Sequence, residues 1–147
     1  MIAGLILLAI LVAAYRSLGR HTAPVRDPRA LLTTVLDTAA EAERSLRAPE
    51  DAAERSVQRQ LEACAQTLEL IEESELSDAL VTARRLLAQG VGDLLWAARL
   101  AERSGLTSAG LRDGFDALHA GGARCLDEVR AALAAASAAP EVVDRPG

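Results

Sequence analysis

Apolar residues follow two different patterns along this chain. The first fifteen residues, MIAGLILLAILVAAY, form a run without a charged side chain, closed by Arg16. From Asp27 onward apolar positions instead recur at steps of three and four, with charged residues on the intervening faces. A continuous run fits lipid on every side, whereas a stripe fits a helix with one buried face.

The stripes divide into four. Leu32, Val35, Leu36, Ala39, Ala42 and Leu46 follow an Asp27-Pro28 start signal and predict a helix over 28–47, ended by Ala48 before Pro49. Pro49, Glu50 and Asp51 open a second helix over 49–72, with Val57, Leu61, Cys64, Leu68 and Ile71 on its apolar side. The step of five from Ile71 to Leu76 interrupts the period. A turn is therefore expected between them, followed by Ser77 as N-cap with Leu76 and Val81 as a hydrophobic staple.

The third helix, expected over 77–104, carries Leu76, Leu80, Ala83, Leu87, Val91, Leu94 and Ala98, and Gly90 and Gly92 mark a place where it would kink. Gly105 is placed to end it. Thr107 reads as the N-cap of a fourth helix over 107–138, with stripe Leu111, Phe115, Leu118, Gly122, Cys125, Val129 and Leu133. No repeat of 20 to 50 residues recurs. Short connections between four such helices predict an all-α protein, in which an antiparallel bundle over 28–139 follows a single N-terminal membrane helix over 1–18. A juxtamembrane linker covers 19–27 and a tail covers 140–147.

A helix over residues 2–15 would be about 21 Å long, short of the roughly 30 Å hydrocarbon core. Arg16 reaching to the headgroups, with Ser17 and Leu18 continuing the helix and some local thinning, makes up the difference. Gly4, Ala9 and Ala13 put small residues on this helix and are candidates for packing against another membrane helix. No basic residue precedes the run, while Arg16, Arg20, Arg26 and Arg29 follow it, which retains the C-terminal domain in the cytoplasm of an inner membrane. The competing expectation is a signal peptide cleaved behind Ala14. The missing basic n-region and the nearby Arg16 count against it.

Composition sharpens this picture. The chain has 147 residues, half of them hydrophobic, but only three aromatics, so Ala and Leu must build the core. All sixteen basic residues are Arg, a bias expected of a GC-rich bacterial genome. Residues 1–29 carry net +3, leaving −8 on the remainder of a chain whose total is −5. A basic collar on an acidic body suits an anionic bilayer and disfavours nucleic acid as a partner.

Candidate chemistry is sparse. The acidic cluster Glu69, Glu72, Glu73, Glu75 and Asp78 has no EF-hand spacing and reads as a solvated turn. Cys64 and Cys125 lie on apolar stripes as small buried hydrophobes, able to meet only if the second and fourth helices are neighbours. Together with His21 and His119 they lack zinc-site spacing, and His119 reads as a half-buried or exposed helix residue beside the stripe. No nucleophile, base and pocket can be assembled, and no cofactor motif is present, so no enzyme is expected.

What stands out is a surface. Residues 94–100 are apolar nearly all round, as either the centre of the bundle or a surface covered by another protein, and Trp96 lies off the stripe, as either a boundary core residue or an interface anchor. Gly110, Gly114, Gly121 and Gly122 weaken the fourth helix unless another backbone packs closely on them. Leu95, Trp96, Leu100, Gly110, Gly114 and Gly121 are therefore the candidate partner interface. The leading expectation is a non-catalytic accessory subunit bound to the bilayer and to other protein subunits or a second copy. A ligand- or metal-binding sensor bundle and a secreted helical protein are the alternatives.

Overall fold

The computed structural model describes residues 27–47, 54–104 and 106–138. The expected anchor with Gly4, Ala9 and Ala13, the linker before Asp27, the 49–51 start signal, Gly105 and the tail lie outside them. Among the described residues no helix is long and apolar enough to cross a membrane.

The described residues are all-helical. The elements are α1 (Pro28–Arg47), α2 (Glu54–Glu69), a short 3-10 turn (Glu73–Glu75), α3 (Asp78–Ser104) and α4 (Ala109–Ala138). At the start of α1 the Asp27 carboxylate accepts the Arg29 amide at 3.1 Å, and Pro28 fills a first-turn position that needs no amide donor. Helix α2 ends at Glu69, short of the expected 72. Its last turn tightens through i to i−3 bonds from Leu70 to Thr67 and from Ile71 to Leu68, and the 3-10 turn then occupies the gap between Ile71 and Leu76. Helix α3 runs unbroken through Gly90 and Gly92. At α4 the cap is Ser108, not the expected Thr107: the Ser108 hydroxyl accepts the Leu111 amide at 3.2 Å. Leu106 turns the chain between them with φ 50°, a left-handed conformation costing a branched side chain about 1 kcal/mol.

Cross-helix contacts fix the topology. Arg29 pairs with Leu133 and Glu43 with His119, so α1 and α4 run antiparallel; Arg84 with Leu68 and Arg99 with Glu62 show the same for α2 and α3. Gly90 meets Gly122 and Leu100 meets Gly114, which makes α3 and α4 antiparallel as well. The result is a helical bundle whose most extensive interface is α3 on α4, with α1 and α3 touching across the short diagonal.

The core is aliphatic. Leu32, Val35, Leu61, Leu68, Leu87, Val91, Leu94 and Val129 are sealed from solvent, and Ala39, Ala42, Ala83 and Ala97 allow close approach. Leu94, Ala97 and Ala98 are all buried, so the apolar half of α3 is central to the bundle rather than a surface awaiting cover.

Candidate functional site

The outward face of α3 holds the most conspicuous surface feature. A half-turn away from buried Leu87, Leu94 and Ala98, Trp96 is 58% exposed. It is thus not a boundary core residue. One turn before it on the same helix, Gly92 leaves the surface open, where an added Cβ would meet nothing within 4 Å. The Arg99 guanidinium carbon lies 5.3 Å from the ring centroid in a cation–π arrangement, and Arg99 also reaches Glu62 of α2 at 3.6 Å. A flat aromatic surface, held by an arginine and free of flanking side chains at Gly92, is what remains on this face.

The other expected interface residues separate from Trp96. Leu95 packs against the core from a partly buried position. Leu100 lies over α4, its Cδ1 3.9 Å from where a Gly114 Cβ would be. Asp93 Oδ2 is 3.0 Å from the corresponding point at Gly121, so that glycine accommodates a carboxylate of its own chain, and Gly110 opens to empty space. The tight glycines are Gly90 and Gly122. A Cβ at Gly122 would lie 2.6 Å from Leu94 Cγ and 3.0 Å from the Gly90 carbonyl, and one at Gly90 would lie 2.8 Å from Cys125 Cβ. Their role is the α3–α4 crossing, inside the bundle.

Within the acidic turn, Glu73 is held by its own chain. Glu73 accepts hydrogen bonds from Arg84 Nη1 at 2.9 Å and from Arg85 Nε and Nη2 at 3.1 and 2.8 Å. The Arg85 hydrogen bond, aided by the charge of both arginines, lowers the Glu73 pKa, and the same pairing raises that of Arg85. Among the described residues no three His, Cys, Asp or Glu side chains gather as a metal cage.

Both thiols are free and face different neighbours. Cys64 points at the Val35 carbonyl, Sγ to O 3.9 Å, and burial pushes its pKa up to about 12. Cys125 lies beside Gly90, its pKa raised by burial first and then by Asp93 and Glu128. Helices α2 and α4 occupy the wide diagonal of the bundle, which keeps the sulfurs apart.

His119 corrects the sequence expectation most clearly. It is buried, 6% exposed, with Nε2 3.0 Å from Glu43 Oε1 and 3.4 Å from the Glu43 carbonyl, and its ring stacks on Phe115 at 5.8 Å. Glu43 in turn accepts from Arg47 at 3.2 Å. The local halves of this group, Glu43 with Arg47 and Phe115 with His119, stand at i, i+4 in the sequence; that they meet depends on the α1–α4 register, which no local pattern encodes. No family model, curated protein or solved structure matches the chain.

Proposed function

We propose that this protein is a non-catalytic, membrane-anchored helical interaction subunit of a bacterial membrane complex. Residues 1–18 form the anchor, the bundle stands in the cytoplasm, and Trp96 is the point of contact with a protein partner. The observation that carries this reading is the outward tryptophan. A large indole left in water beside an arginine combines the two residue types that most often dominate binding energy in interfaces, and the open turn at Gly92 leaves its face accessible.

The reading also implies a reach. Helix α3 begins at the same end of the bundle as α1, the end at which an anchor preceding α1 would join, and Trp96 lies about 27 Å from Asp78 along the α3 axis. A partner gripping it extends a comparable distance from the bilayer. The basic collar of Arg16, Arg20, Arg26 and Arg29 meets the anionic leaflet, and Arg84 and Arg85 offset Glu73 at the end of the bundle that faces it.

Native mass spectrometry of the full-length chain, extracted from its own membranes in mild detergent, tests the reading. The expected result is an uncleaved chain in complex with other subunits, lost in Trp96→Ala while far-UV circular dichroism is unchanged. An uncleaved chain found alone would overturn the interaction reading, and a chain cleaved behind Ala14 would overturn the topology.

A further inference from the structure

The outward line of α3 runs through Arg85, Gln89, Gly92, Trp96 and Arg99, at alternating steps of four and three. That spacing keeps a line of residues facing a parallel neighbouring helix. Arg99 covers one face of the Trp96 indole, its guanidinium carbon 5.3 Å from the ring centroid. The opposite face has no ring or cation against it among the described residues, and one turn earlier a Cβ at Gly92 would meet nothing within 4 Å. A second flat ring therefore has both a surface to stack on and room to enter.

Charge on this face narrows the choice of partner. Residues 1–29 carry +3 of a total of −5, which leaves −8 on residues 30–147, and two such bodies repel unless the surfaces that meet are locally neutral. This one is. Arg85 donates from Nε and Nη2 to Glu73 at 3.1 and 2.8 Å, Arg99 lies 3.6 Å from Glu62, and Asp93 is turned aside against Gly121 of α4. A strongly charged foreign partner meets arginines that are already paired, whereas a like face brings no open charge to repel. Gln89 is exposed and carries donor and acceptor on one amide, so it can pair with its own copy.

Two chains held in one bilayer by the same segment have their two-fold axis along the membrane normal, which puts each outward residue of α3 level with itself in the other copy. Such self-opposition repels for an unpaired charge and is favourable for an indole, which stacks offset on another. Taking residues 1–18 as the anchor and Trp96 as the contact point, as proposed above, we infer that the partner at Trp96 is a second copy of this chain. The two bundles stand side by side with α3 parallel to α3, and the two indoles stack between the two Arg99 side chains. Two indoles bury up to about 500 Å², short of the roughly 1,200 Å² of a stable interface in solution, and confinement to one membrane supplies the missing local concentration.

Trp96 is the only tryptophan of the chain, so an exciton couplet in circular dichroism, or loss of tryptophan anisotropy by energy transfer, arises only from a second copy. The full-length chain is reconstituted in vesicles of phosphatidylcholine and phosphatidylglycerol at rising ratios of protein to lipid. Both signals are expected to grow and saturate, and to be lost in Gly92→Leu with helicity retained. Trp96→Cys is expected to form a disulfide-linked dimer under mild oxidant at least about tenfold faster than Asp113→Cys on the exposed side of α4, with buried Cys64 and Cys125 setting the background. The second copy is overturned by the absence of both signals at every ratio, by signals unchanged in Gly92→Leu, or by equal cross-linking at the two positions. A complex from native membranes with one copy of this chain among other subunits, still lost in Trp96→Ala, overturns the pairing and leaves the contact at Trp96 standing. Absence of any complex overturns both.

Discussion

Gly90 and Gly92 stand two residues apart in α3 and are under opposite constraints. Gly90 faces α4, where Cys125 and the Gly122 carbonyl occupy the space that a side chain would take. Gly92 faces solvent with nothing near it. The same residue type thus serves as a steric requirement on one side of the helix and as an open surface on the other. Composition counts both as helix-weakening glycines; only the packing separates them. The contrast extends to their neighbours, since Leu94 is sealed against Gly122 while Trp96 stands in water.

The largest effect is expected from the inner face. Leu94→Ala removes a fully buried side chain at the crossing and should destabilise the fold by about 2–5 kcal/mol in urea unfolding. Gly122→Ala should cost about 1–3 kcal/mol, because the new methyl meets Leu94 and the Gly90 carbonyl and the helices must move apart. The two substitutions combined should cost less than their sum, since truncating Leu94 makes room for the methyl; simple additivity would show that the clash is not what matters at Gly122. On the outer face the sign reverses. Gly92→Ala should stabilise by up to about 1 kcal/mol through helix propensity alone, and destabilisation there would mean that the turn before Trp96 is covered.

Smaller differences separate the buried thiols and the exposed carboxylate. Cys64 should react with iodoacetamide more slowly than Cys125, as its pKa is pushed up to about 12 by burial alone. A thiol whose folded pKa is raised contributes stability below its unfolded value near 9, and that contribution is lost as pH rises toward 12. Glu73 works in the other direction. Its pKa is lowered by Arg85 and Arg84, so its small contribution is present above the ordinary value near 4.5 and is lost as pH falls through the lowered one. Glu73→Gln should flatten the melting temperature over that acidic range.

The all-helical bundle was legible because burial along a helix has a period, and the stripe of α1 from Leu32 to Leu46 is the buried one. The interruption between Ile71 and Leu76 was legible for the same reason: a step of five cannot stay on one face, and the 3-10 turn falls there. Trp96 was visible as a residue off the stripe. What stayed hidden depends on how far one helix slides along another. Gly110, Gly114 and Gly121 were read together with Gly122 as glycines needing a close backbone, yet the register of α3 on α4 brings only Gly122 to the crossing. His119 is nearly a neighbour of the predicted stripe, and the register of α4 on α1 buries it against Glu43.

Arg29 donates to the Leu133 carbonyl at 2.6 Å across 104 positions of chain. That bond joins the first turn of the domain to the last helix, which gives the bundle a seam as well as a core. During synthesis α1, α2 and α3 emerge and can associate in order, but the α1–α4 side cannot shut until α4 has emerged. Until then the Leu94 face of α3 lacks its partner helix. Emergence of α4, rather than collapse of the first three helices, is therefore the step at which this domain closes its ring.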